Sequence, residues 1–174
     1  TADYEISKQA LSLGASQLTH MFNAMPPLSH RAPGPIGAAA DDGDCMVELI
    51  CDGVHVHPSV VRTAFKIFGD DRIVLISDSM RATGMADGTY DLGGQAVTVT
   101  GNLAVLEDGT LAGSVTNLMD CLRTAVTSMG IPLASAVKCA AANPARAIGM
   151  FQDYGTLDPG KYANIVILGK GLDT

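Results

Sequence analysis

Three short apolar runs, at 17–20, 47–51 and 73–76, each give way to a polar loop, with helix-like segments between them. That alternation leaves few folds open. Strands joined through helices cannot close into hairpins and run parallel instead, buried on both faces. Chemistry in such folds gathers where the strands end, on the open face of an α/β barrel. The strand ends here are Thr19-His20-Met21-Phe22-Asn23-Ala24, Cys51-Asp52-Gly53-Val54-His55 and Ile76-Ser77-Asp78. Three polar strand ends in a row predict one site built by successive βα loops, with His20 placed to hold a metal.

The rest of the chain is read around those strands. Ile6, Ala10, Leu11 and Leu13 give residues 3–13 an amphipathic helix that Gly14 ends. Residues 23–37, rich in Pro and Gly, read as a long functional loop. Pro58 opens a helix to about Phe68. The rhythm then breaks: residues 87–111 hold two Asp-Gly pairs, one Gly-Gly and the alternation Ala96-Val97-Thr98-Val99-Thr100. That pattern predicts a small β insertion with hairpin turns. Helices are expected again over 115–129, from Pro132, and from Asn143-Pro144 to about Ile148, with Asn143 as the cap. A turn over 155–160 and a strand over 163–168 follow.

With 174 residues, 47% hydrophobic and 17% charged, the chain has enough material for one well-buried core. No apolar run approaches the roughly 18 to 20 residues that span a bilayer, and no leader pattern stands at the start. The chain begins at Thr1 without Met and reads as a segment of something longer. A net charge of −7 argues against nucleic acid, whose phosphates select basic surfaces. A small phosphorylated ligand stays open, because one Arg and a few backbone amides can hold a phosphate. Cys45, Cys51, Cys121 and Cys139 are irregularly spaced, form no C-x-x-C pair and read as buried free thiols of a cytoplasmic protein.

Six blocks carry a family likeness: THMFNAMPPLSHRAPG (19–34), ICDGVHVHP (50–58), ISDSM (76–80), DGTLAGS (108–114), ANPARAIG (142–149) and GTLDPGKYANIVIL (155–168). In order and spacing they resemble the N-acetylglucosamine-6-phosphate deacetylases of the amidohydrolase superfamily. The last two blocks occur across that superfamily; the first two narrow it to the sugar-phosphate deacetylases. The resemblance implies an α/β fold, the C-terminal part of a (β/α)8 TIM-like barrel, over 1–152. It places the β insertion at about 87–111 and gives 153–174 a strand of an accessory β domain. It implies metal-dependent hydrolysis of the N-acetyl group of N-acetylglucosamine 6-phosphate, with a homodimer as the common assembly. The metal would be a divalent ion, zinc first, with iron, manganese or cobalt also compatible.

The same resemblance assigns roles. His20 matches a metal ligand, against the plainer reading of a core or capping histidine. Asp78 matches the catalytic carboxylate, against a helix N-cap. Arg31 matches a phosphate-binding arginine, Asn23 and Ala24 ligand contacts, and Asp52 and His55 a substrate-contacting block. His55 could instead serve a second metal position. Leu111, Ala112 and Gly113 match a substrate-lining loop. Two positions depart from the family pattern: Ala32 stands where Glu is usual and Ser79 where Ala is usual, the latter with a possible extra hydrogen bond to Asp78. A glutamate and a histidine that complete the family's metal site are expected upstream of Thr1. Two other readings stay open: another amidohydrolase acting on a cyclic amide or a different N-acetyl sugar, and a non-catalytic fragment that keeps sugar-phosphate binding.

Overall fold

A computed structural model describes residues 2–173. The elements are α1 (Tyr4–Ser12), β1 (Gln17–Leu18), α2 (Gly34–Asp41), β2 (Met46–Ile50), α3 (Pro58–Phe68) and β3 (Ile73–Ile76). They continue with β4 (Gly88–Leu92), β5 (Gln95–Thr100), β6 (Leu103–Leu106), α4 (Leu118–Thr127), α5 (Leu133–Ala140) and α6 (Ala142–Ala147). β1, β2 and β3 pair parallel in chain order, with Leu18 beside Val47 and Leu49 beside Leu75. The expected parallel sheet is present, and β1 is shorter than the run 17–20.

Val47, Leu49, Ile73 and Leu75 are buried in one core with Ile36 and Ala39 of α2, Val61, Ala64 and Phe68 of α3, and Cys121, Leu122 and Ala125 of α4. Each fully buried aliphatic side chain there contributes about 1.5–3 kcal/mol. The spacing of Val61, Ala64 and Phe68 brings all three to one face of α3, which Pro58 starts and the His57 ring caps by accepting from Ser59 N. His57 is exposed and serves that helix start. All four cysteines are free and buried.

The insertion forms a separate antiparallel sheet, β4-β5-β6, with Tyr90 opposite Val97 and Val99 opposite Ala104. Gly93 and Gly94 turn the first hairpin at φ 62° and 87°, values side chains resist. Val97, Val99 and Ala104 pack on Met80, Ala82 and Ala112. The insertion's core therefore sits directly behind the segment that leaves β3.

Three expectations need correction. Part of the 23–37 loop is helix: α2 begins at Gly34, its Pro35 occupies a first-turn position, and Ile36, Ala38 and Ala39 are buried. Arg72 secures its far end by donating to the carbonyls of Ala39 and Asp42. Asn143 does not cap α6. Ala141 stands there, and Asn143 lies inside the helix, fully buried, donating at 2.7 Å to both Asp70 O and Ile73 O. Residues 163–168 form no strand, because no strand lies beside them among the described residues to complete a ladder. Ile165, Val166 and Ile167 are 58%, 67% and 82% exposed.

Candidate active site

β1 ends at Leu18 beside Val47, while β2 runs on to Ile50, and the loop after β1 is bent back on itself. His20, Phe22 and Ala24 have φ of 33°, 79° and 52°, the left-handed region that non-glycine residues enter at about 1–2 kcal/mol each. Several bonds hold the bend. Met21 N donates to Glu48 O at 2.8 Å, Asn23 N donates to His20 O at 2.9 Å, and Asn23 Nδ2 reaches Met21 O at 3.3 Å. His20 Nδ1 lies 3.0 Å from Asn23 O. A carbonyl only accepts, so the proton belongs on Nδ1 and the lone pair is left on Nε2. No buried side-chain nitrogen or oxygen lacks a partner among the described residues, so unbonded Nε2 opens to the surface.

Glu48 lies under this loop. One carboxylate oxygen accepts from Gln17 Nε2 and the other from His20 N at 3.1 Å. Sequence reading missed it, although a carboxylate inside the apolar run Met46-Val47-Glu48-Leu49-Ile50 was the available signal.

After β2, Asp52 folds the chain over itself. Its Oδ1 accepts from Val54 N and His55 N, both at 2.9 Å, and its Oδ2 accepts from His55 Nδ1 at 2.6 Å. The side chains are 1% and 7% exposed. Burial alone would push the Asp52 carboxyl up, but the His55 ring and the two backbone N–H groups together hold it below its ordinary value. The bond to Asp52 raises His55, against burial, and the nearby charges of Asp52 and Asp78 add to that. The ends of β2 and β3 therefore share one electrostatic neighbourhood.

Asp78, after β3, is exposed and has φ 51°. No helix starts there, since the next element is β4, and this removes the N-cap reading. The adjoining strand-like segment is the lining loop itself: Ser114 N donates to Asp78 O and Met80 N to Ser114 O, both at 2.9 Å. Gly113 has φ +113°, and a Cβ on it would meet Asp78 O and Met80 Cβ at 3.4 Å. Ser79 does not bond the Asp78 carboxylate as expected. Its Oγ lies 2.8 Å from Ser77 Oγ and 2.7 Å from Thr116 O, tying the strand end to that loop.

The remaining residues sit further out. Arg31 is at the exposed tip of a turn closed by reciprocal 3.2 Å bonds between Ser29 and Ala32. No carboxylate pairs with it among the described residues. Leu111 is 38% exposed and Ala112 8%. The structure thus groups His20, Asn23 and Ala24 at one strand end, Asp52 and His55 at the next, and Asp78 with Gly113 at the third. No group of three or more His, Cys, Asp and Glu side chains that could hold a metal occurs among the described residues. No helix among them is long and apolar enough to cross a membrane.

A parallel βα sheet with an ionisable group at each strand end defines an α/β fold with a candidate site at one edge, and the amidohydrolase family model matches residues 1–173. The chain belongs to the amidohydrolase family. Within it, the chain is 41% identical to N-acetylglucosamine-6-phosphate deacetylase of Bacillus subtilis, over 96% of this chain and 42% of that protein. It is 39% identical to N-acetylgalactosamine-6-phosphate deacetylase of Escherichia coli O157:H7, over 98% of this chain and 45% of that one. A solved Mycobacterium smegmatis structure, a mutant N-acetyl-D-glucosamine-6-phosphate deacetylase in complex with N-acetyl-D-glucosamine-6-phosphate, superposes with a TM-score of 0.92. It is 40% identical and covers 98% of this chain and 46% of its own. The chain spans less than half the length of these relatives.

Proposed function

We propose that these strand ends belong to a deacetylase of phosphorylated N-acetyl amino sugars, converting N-acetylglucosamine 6-phosphate and water to glucosamine 6-phosphate and acetate. The observation that carries it is Asp78: a carboxylate on a strained strand end, free of structural bonds, beside a loop that only glycine can complete. In this reading Asp78 accepts the proton of the attacking water as the C–O bond forms. It then delivers that proton to the sugar nitrogen as the C–N bond breaks, since an amine leaves poorly until protonated.

His20 fits a divalent ion, having a fixed tautomer and an outward Nε2 lone pair. Catalytic zinc takes about three protein ligands, so His20 would be one part of a larger set. When bound, such an ion polarises the amide carbonyl as a Lewis acid. Arg31 would pair with the phosphate, and His55 would contact the sugar or its phosphate. Asn23, Ala24 and the 111–113 loop would line the sugar. A homodimer and a cytoplasmic setting are part of the proposal. A second reading, the C4 epimer N-acetylgalactosamine 6-phosphate, is favoured by the Escherichia coli relative of similar identity.

The test grafts residues 1–174 in place of the matching portion of the Bacillus subtilis relative and follows acetate release from both sugar phosphates. Asp78→Asn should lower kcat by about 10²–10⁴, the span of general acid–base catalysis. Full activity in that variant would overturn the assignment.

A further inference from the structure

We propose that Asp52 is a positioning residue: it fixes the ring of His55 in the Nδ1-protonated form, so that Nε2 is the nitrogen offered to the ligand. What His55 touches rests on the sugar-phosphate deacetylase reading; the pairing rests on geometry alone. Asp52 cannot itself serve a ligand. Its side chain is 1% exposed, Oδ1 is taken by Val54 N and His55 N, and Oδ2 by His55 Nδ1. A carboxylate only accepts, so the Nδ1 atom 2.6 Å away must be the donor. Nε2 has no partner among the described residues, and since no buried side-chain nitrogen there is left unpaired, it is the ring atom that reaches the surface. The spacing Asp-Gly-Val-His produces this arrangement through an Asx-type turn, in which Asp52 binds backbone N–H groups two and three residues on.

The same geometry makes Asp52→Asn a sharp probe. Two fixed backbone donors face Oδ1, so the amide oxygen must stay on their side. The NH₂ then faces Nδ1, which has to become the acceptor, and the ring proton moves to Nε2. A neutral ring that offered a lone pair would offer a donor instead. A buried aspartate acting on a histidine through its tautomer is a known device of hydrolases.

The experiment is ¹⁵N NMR of the 174-residue chain labelled at its four histidines, with His55 assigned through His55→Gln. It is run above the imidazole titration, where protonated and bare ring nitrogens resonate far apart. His55 should be Nδ1-protonated in the parent protein and Nε2-protonated in Asp52→Asn. A parent ring that is Nε2-protonated, or that averages between tautomers, overturns the proposal, and this arm does not need Asp52→Asn to fold. An unchanged tautomer in a folded Asp52→Asn also overturns it. In the grafted enzyme, Asp52→Asn and His55→Gln should each lower kcat/KM on the order of 10- to 100-fold, the size of one charge-assisted hydrogen bond. The double variant should lose little more than either one. A parent enzyme with no deacetylase activity but the expected tautomers would overturn the function while supporting the positioning role.

Discussion

At Gly113 the backbone conformation alone selects glycine. The residue has φ +113°, while an added Cβ would make only van der Waals contact with Asp78 O and Met80 Cβ at 3.4 Å. Gly113→Ala should therefore cost about 1–3 kcal/mol in urea unfolding, through left-handed strain. The Asp52–His55 pair gives a pH prediction whose sign follows from the two shifts. His55 is raised above 6.5, so its contribution is complete below that pH and is lost as pH rises through its folded value. Asp52 is held below 3.8, so its contribution is present above that pH and is lost as pH falls through its folded value. The stability gap between the parent and His55→Gln should be widest between pH 3.8 and 6.5 and should shrink in alkali. A gap independent of pH across denaturant titrations would contradict the charged pair. At this scale the sequence exposes ionisable residues at the strand ends, His20 and Asp78 among them, but not how their bonds are shared out. That the Asp52 oxygens are taken by His55 and two backbone N–H groups depends on the turn itself, and Glu48 is hidden because its partners come from β1 and its loop.

At the scale of elements, local rules decided most outcomes and tertiary contacts the rest. β2, α3, β3 and the insertion's three strands fall where apolar period, Pro58 and paired glycines predict them. α2 was obscured because the Pro and Gly signals that mark loops also mark a helix start. Its short Ala-rich body shows its face only once Ile36, Ala38 and Ala39 are packed. Asn143 is deceptive for a similar reason. An Asn before a Pro suggests a cap, yet here its amide binds the backbone entering β3 instead. Asn143→Ala would remove the amide donor from the carbonyls of Asp70 and Ile73, leaving Asp70 O its 3.5 Å contact from the Cys139 thiol. The expected loss is about 1–3 kcal/mol, read as a lower urea midpoint, the cost of a buried group left without its hydrogen-bond partner. Asn143→Asp should be no better, since a carboxylate cannot donate to either carbonyl.

On the scale of the whole molecule, its apolar surface is unevenly distributed. Ile165, Val166 and Ile167 project into solvent at 58%, 67% and 82% exposure, with Tyr162 at 64% and Leu157 at 78% nearby. The sequence pattern suggests a strand over 163–168, but the structure has none there, since a strand is a property of a pair. With no strand neighbour among the described residues, the segment has no ladder partner and Ile165, Val166 and Ile167 stay exposed. Such a segment combines unpaired N–H and C=O groups with β-branched side chains, the composition that drives edge-to-edge association. The 174-residue chain should therefore self-associate as concentration rises. Ile165→Lys with Ile167→Lys should suppress that association in sedimentation velocity, by charging the segment while removing two exposed apolar groups. Because neither side chain is buried, the unfolding free energy should move by no more than about 0.5 kcal/mol. A large loss of stability in the double variant would mean that the segment packs against the body of the protein. Unchanged association would shift the cause to the free edge of β1, which lies at one end of the parallel sheet with β2 as its only strand neighbour among the described residues.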